Sequence, residues 1–259
     1  MNTFSVKPYL LNYANSIYRK SQKLNTDSAL RNGFNTSIFS FSKDDIDSGF
    51  KSKNKKILNC RKGDGFWLWK PYFIYNTLVS LNDGDFLFYC DSGAYFIRPI
   101  TPLIRISIDS KQDIISFNLP YSNSQYVKGE AFVKMNCDTN DCRAASHKVA
   151  GYHLWRKSKF SVEFAREFLG FAQDYQIISD EISGVVPQKS SDFIDHRHDQ
   201  AIFSILCWKY NLEGYRDPSQ FGNDQVQFFQ NSNYQQLINL TRNKNYSTYQ
   251  RILKKFIKI

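Results

Sequence analysis

Gly84-Asp85-Phe86-Leu87-Phe88-Tyr89-Cys90-Asp91-Ser92-Gly93 decides how this chain folds. From Phe86 to Cys90 the run is unbroken by charge, glycine or proline and too short for an ordinary helix, which is the pattern of a strand buried on both faces. Upstream, the turn Asn82-Asp83-Gly84 closes a segment that opens with Gly63-Asp64-Gly65 and continues Phe66-Trp67-Leu68-Trp69-Lys70-Pro71. The first of these reads as a turn, and Pro71 as the first position of a helix running to about residue 81. A helix feeding a buried strand that stops at a carboxylate and a glycine points to an open α/β sheet, whose ligands sit outside the carboxyl ends of the strands.

Working outward, residues 4–11 read as an opening strand closed by a turn near Asn12. Residues 13–31 read as a helix with Ile17, Leu24 and Leu30 facing inward, stopped by Asn32-Gly33. Residues 36–41 form a second strand, and 42–50 a polar connection. Downstream, strands are expected over 113–119, 126–133 and 150–154, and a helix over 161–175. Residues 179–194, with Gly184 and Pro187, read as a loop. Asp195-His196-Arg197-His198-Asp199-Gln200 then opens another helix. The expected fold class is α/β: an open mixed sheet with flanking helices, as one domain over residues 1–240. A basic amphipathic tail follows over 241–259, with Tyr249, Ile252, Leu253 and Phe256 at helical spacing.

Of the 259 residues 42% are hydrophobic, enough for a sizeable core and against wholesale disorder. The longest nearly apolar stretch, residues 201–208, is far short of the roughly 18–20 residues of a helical membrane span. No secretory signal is visible at the start of the sequence, and the five scattered cysteines suit reduced thiols, so a cytoplasmic location is expected. The net charge of +10 is concentrated: residues 51–62 and 241–259 each hold six basic residues and no acid, leaving the body near neutrality. Such runs are either solvated faces or contacts for an anionic membrane surface, a nucleotide diphosphate or nucleic acid.

Three places offer chemistry. Asp91, at a strand end, suits a divalent cation (Mn or Mg) or a sugar hydroxyl, and Ser92 and Gly93 leave room for phosphates; the plain alternative is an ordinary turn. Trp67 and Trp69, with Lys70 just before a helix start, suit a diphosphate, the alternative being core packing. His196 and His198 lie two apart, beside Arg197, Asp199 and Gln200. A carboxylate at a helix start positions a substrate, removes a proton or merely caps the helix. Cys137 and Cys142 lack partners for a zinc knuckle. The chain has no G-x-S-x-G, Walker, G-x-G-x-x-G or H-E-x-x-H motif.

Taken in order, Lys62 to Pro71, Gly84 to Gly93, Ala150-Gly151-Tyr152-His153-Leu154-Trp155-Arg156-Lys157 and His196 to Gln200 resemble bacterial sugar-nucleotide glycosyltransferases of O-antigen and capsule clusters, with a Rossmann-like GT-A fold. The resemblance implies a nucleotide-sugar donor, UDP-linked, and a glycan or lipid-linked glycan acceptor. It implies that Asp91 stands at the DXD motif, that Lys70 and the tryptophans line the nucleotide or diphosphate, and that Gly151 floors the sugar pocket. Asp199 and Gln200 would contact donor sugar or acceptor, with His196 on the donor side. Asp199 would act as base or donor-orienting carboxylate, with His198 as runner-up and Glu130 and Glu181 as weaker bases. Gly93 stands where the family has its second aspartate, which puts metal dependence in question; Lys70, Arg197 or the basic run would then neutralise the leaving diphosphate. The tail would rest on the anionic inner leaflet or dock on the domain itself. A nucleic-acid-binding module predicts basic residues interleaved with aromatics, whereas here aromatics concentrate in apolar segments, so no nucleic-acid partner is expected. A catalytically inactive scaffold is the third reading.

Overall fold

The computed structural model describes residues 6–182, 184 and 190–241. In chain order the strands are Tyr9–Tyr13 (β1), Ile38–Phe41 (β2), Phe86–Cys90 (β3), Ala94–Phe96 (β4), Ile114–Ser122 (β5), Ser146–Lys148 (β6), Tyr152–Arg156 (β7), Gly214–Tyr215 (β8) and Ile238–Leu240 (β9). The principal helices are Arg19–Arg31 (α1), Trp69–Ser80 (α2), Thr101–Asp109 (α3), Gly129–Lys134 (α4), Lys159–Ala172 (α5) and His198–Lys209 (α6). The main sheet is mixed and open, ordered β2-β1-β3-β7-β5-β6 with β8 also on β5, while β4 and β9 pair separately.

β3 is buried at every position, and its alternation divides the core. Leu87 and Tyr89 join Leu11, Trp155 and the inner faces of α2, α5 and α6; Phe86, Phe88 and Cys90 join Leu10, Leu154, α3 and Ala29 of α1. β1 lies between β2 and β3 and is parallel to both. The chain therefore leaves β1 to one side and later returns on the other, which makes a topological switch point at Tyr13 and Cys90, where a crevice opens in sheets of this kind. β7 runs antiparallel to β3 and brings Tyr152 to the same rim, opposite Cys90.

A local irregularity supplies the rest of the rim. β6 and β7 both pair antiparallel with β5, but three residues separate Ile115 from Asn118 on β5 while six separate their partners, Leu154 and Lys148. Residues 149–151 make the connection from β6 to β7: the Val149 N–H still donates to the Phe117 carbonyl of β5 at 2.8 Å, while the Ala150 and Gly151 carbonyls turn to other partners.

Several expectations fail for identifiable reasons. Residues 126–133 are not a strand: Gly129–Lys134 is helical and sends Ala131 and Phe132 into the core. Asn12 is no turn residue but a buried strand position that donates to Asn25 Oδ1 at 2.8 Å. Leu24 and Leu30 of α1 point outward; the buried face is Ser21, Gln22, Asn25, Ser28 and Ala29. α1 docks by hydrogen bonds rather than by leucines: Gln22 donates to Asn12 Oδ1 and the Phe41 carbonyl, and Asn25 to the Ala94 carbonyl. Pro71 is the third residue of α2 rather than the first. The polar connection after β2 already turns helical at Ser48–Lys53. The opening strand is offset toward Tyr13, and the tail expected over 241–259 lies outside the described residues beyond Thr241.

Candidate functional site

The site begins with Asp91, the first residue past β3. Its backbone N–H donates to the Gly151 carbonyl at 2.7 Å, so the segment before β7 fixes the place where the strand ends. Its side chain is about half exposed (43%), and Oδ1 accepts from the Tyr89 hydroxyl. Tyr89 and Asp91 lie two apart and so share a face, a signal present in the sequence that identifies Tyr89 as a partner. Oδ2 has no hydrogen-bond partner among the described residues. A Cβ at Gly151 would sit 3.3 Å from it, so the glycine leaves that oxygen open.

Beneath Asp91 lies Lys70, only 2% exposed. Its ammonium meets Asp199 Oδ2 at 2.6 Å and Asp91 Oδ1 at 3.9 Å, and donates to the Ala150 carbonyl at 3.0 Å. Of these, Asp199 and the Ala150 carbonyl lie within hydrogen-bond distance, and Asp91 is held by charge across a longer gap. Burial pulls the Lys70 pKa down, but Asp199 and Asp91 outweigh it, so the ammonium stays charged. Asp199 is also buried; burial, set against Lys70 and reinforced by Asp91, pushes its carboxyl up to about 6. By formal charge the cluster is two acidic side chains around one ammonium, a net single negative charge. Lys70 is buried and paired with Asp199 within the cluster.

Ser92 and Tyr13 close the switch point, because the Ser92 hydroxyl donates to the Tyr13 carbonyl at 2.6 Å. The Tyr13 ring stacks on Trp69 at 3.8 Å and its hydroxyl bonds Asp64. Trp69 Nε1 donates to the Gly63 carbonyl at 3.0 Å. Neither Tyr13 nor Asp64 is prominent in the sequence, since each enters the rim only when β1 and the loop before α2 are brought together.

That loop is not the simple turn expected. Gly63, Asp64, Gly65, Phe66 and Trp67 all have positive φ, between 50° and 101°. A left-handed conformation costs an L-residue about 1–2 kcal/mol, so the three non-glycine residues store on the order of 3–6 kcal/mol. Bonds at Gly63 and Asp64 hold the turn, and His198 stacks on Phe66 and Trp67 at 5.0 and 5.2 Å.

The histidines have a different place from the one expected. His196 Nε2 lies 2.8 Å from the Ile177 carbonyl and Nδ1 accepts from the Lys128 N–H at 3.3 Å. His198 Nδ1 lies 2.8 Å from the Ile178 carbonyl, and Nε2 is 3.4 Å from Asp180 Oδ1. Burial pushes both imidazoles down, so both are neutral. Lys128 adds bonds to the carbonyls of Ser179 and Glu181, both at 2.6 Å. Together these groups clamp residues 177–181, and His198 hands the chain on to Asp199. Gln200 donates to the Lys148 carbonyl at 2.7 Å, tying α6 to β6. The Arg197 guanidinium lies over the Tyr126 ring at 3.8 Å. Glu130 is buried near Lys128, and Glu181 is exposed.

The structure thus brings Asp91, Ser92, Lys70, Trp69, Gly151 and Asp199 together. It sets Trp67 and His198 beside them as a stacked pair and leaves His196 in the clamp. At Gly93 a Cβ would meet open space, and the Gly93 carbonyl accepts from the Thr241 N–H at 2.8 Å. Among the described residues no three His, Cys, Asp or Glu side chains converge on a common point that would hold a metal. The protein side of a cation site here is one open carboxylate oxygen, an arrangement that suits a cation whose other ligands are phosphate and water.

No protein-family model matches this chain, and no curated protein sequence matches it. Among solved structures it is similar to mouse xyloside xylosyltransferase 1 in its apo form, at 10% identity over 94% of this chain and 98% of that one, with a TM-score of 0.46.

Proposed function

We propose that this chain is a glycosyltransferase moving a sugar from a UDP-linked donor to a glycan or lipid-linked glycan acceptor, at the cytoplasmic face, in the assembly of a surface polysaccharide. The observation that carries the reading is the half-exposed Asp91 held against the buried Lys70–Asp199 pair at the switch point between β1 and β3. Transfer breaks the bond between the anomeric carbon and a phosphate oxygen, and the site must orient the donor and stabilise the departing diphosphate. Asp91 orients the donor, with Tyr89 fixing its Oδ1 and Gly151 leaving room beside Oδ2. Asp199 is buried against Lys70, which favours a positioning role, holding Lys70 under Asp91, over that of a proton acceptor.

A cluster of net negative charge disfavours a bare diphosphate, so the donor is proposed to bind with Mn2+ or Mg2+, held on the protein side by Asp91 Oδ2. That cation would supply the positive charge that stabilises the leaving diphosphate. Mass-spectrometric detection of donor hydrolysis across a panel of nucleotide sugars tests the reading. The expected result is turnover of a UDP-sugar that is lost with EDTA, restored by Mn2+ and reduced about 100-fold or more in Asp91→Asn. Full activity in Asp91→Asn would remove Asp91 from the mechanism, and silence across the panel would remove the reading.

A further inference from the structure

A cavity of about 280 Å³ opens between β6 and the C-terminal end of α6. It is lined by Ser146, Lys148, Trp208, Asn211, Leu212 and Glu213, none of which belongs to the site around Asp91. Its volume is near the lower end of the ~300–1,000 Å³ of small-molecule pockets, so it fits a ligand of about one ring.

Lys148 is the unusual member. It is 7% exposed, yet its ammonium has one hydrogen-bond acceptor, Asn118 Oδ1, and no ion pair among the described residues. The other two lysines buried this deeply are treated differently: Lys70 has two carboxylates and a carbonyl, and Lys128 has two carbonyls. A buried ammonium with one neutral acceptor is short of partners, and burial pushes its pKa down. Gly214 packs where a side chain would collide with the Lys148–Asn118 pair, so the fold keeps space for this arrangement. The indole N–H of the half-buried Trp208 and the side-chain amide of the exposed Asn211 also have no hydrogen-bond partner among the described residues. Glu213 is partly engaged, by Asn231 at 2.8 Å and Tyr215 at 3.2 Å.

We infer that this cavity is a second binding site for a neutral pyranose, which Lys148 and Asn211 hold by its hydroxyl oxygens against the Trp208 indole. One cation and one carboxylate on the same wall favour an uncharged polyhydroxylated ligand over an anion, and an aromatic face among convergent hydrogen-bonding groups matches an apolar sugar face rimmed by hydroxyls. The cavity is linked to the first site through backbone: Lys148 is bonded by Gln200 and Ser204 of α6, and two residues later the Ala150 carbonyl receives Lys70.

The test is titration of 15N-labelled full-length protein with methyl α-D-glucopyranoside, D-galactose and N-acetyl-D-glucosamine, with inorganic phosphate and glycerol as controls. The readout is the Trp208 indole resonance, assigned by its loss in Trp208→Phe. A saturable shift with at least one sugar is expected, weakened about tenfold or more in Lys148→Met and retained in Asp91→Asn. If Lys148→Met fails to fold, the exposed Asn211→Ala, with weakened binding expected, decides instead. No saturable shift with any sugar, saturation by phosphate alone, or binding undiminished in the variants overturns the proposal. The inference does not rest on transferase activity: a silent turnover assay with a responding Trp208 would reject the first reading and leave this one.

Discussion

At the residue scale, the site is an exercise in partnering buried charge. Lys70 is deeply buried because three oxygens compensate it, and Asp199 is buried because Lys70 is there. The sign of the resulting pH dependence follows from the Asp199 pKa of about 6, above its ordinary 3.8. Folding favours its protonated form, so this group's contribution is complete below about pH 4 and is lost as pH rises through 6. The amount is on the order of 3 kcal/mol. Urea unfolding of the wild type and Asp199→Asn between pH 4 and 7 should therefore show the wild type losing about that much relative to the variant as pH rises. A difference constant across that window would show that Asp199 does not titrate there. Asp91 was legible in the sequence from its place at the end of a buried run, and Lys70 from its place at a helix start. That Asp91 shares the Lys70 ammonium with Asp199, more than a hundred residues further on, was not legible, because charge compensation depends on distance in space.

At the element scale, the left-handed turn before α2 illustrates how a loop is held under strain. Gly63 sits at φ 58° with the Trp67 ring where its Cβ would be, whereas Gly93 faces open space. Gly63→Ala is expected to cost about 2 kcal/mol or more, and Gly93→Ala less than about 1 kcal/mol, measured as the shift in urea midpoint at constant m. Equal costs would contradict the packing at Trp67. The same stretch shows the limit of local reading. Two glycines announce a break in regular structure, but not that Asp64, Phe66 and Trp67 follow them into the left-handed region. Tertiary bonds from Tyr13, Trp69 and His198 offset that strain, and none is local in sequence except Trp69. For α1 the misreading has another cause: a helix that docks through amides gives an apolar periodicity pointing the wrong way.

For the whole molecule, β3 is the hinge of both halves of the core, and it separates regions of unequal stability. Its amides lie between β1 and β7, under two apolar clusters. The segment Gln220–Phe228 is a 3-10 helix with Phe221, Val226 and Phe228 exposed. Hydrogen exchange should find β3 protected to the level of global unfolding and Gln220–Phe228 exchanging through local opening. Comparable rates in the two would mean that the sheet is not the stable unit. No helix of the described residues is long and apolar enough to cross a membrane.

What the sequence determined by itself is the class of fold and the end of its central strand. An apolar run closed by Asp91-Ser92-Gly93 after a helix already implies a buried strand with a carboxylate at its C-terminal end, because burial on both faces leaves a direct mark in composition. The tertiary structure alone decided which groups meet that carboxylate, which face of α1 is inside, and that residues 126–133 contain a helix instead of a strand. It also decided that His196 and His198 clamp residues 177–181. Hydrogen bonds and ion pairs join groups distant in the chain, and the residues that make them carry no periodic signal, so their partners become visible only once the sheet has closed around them.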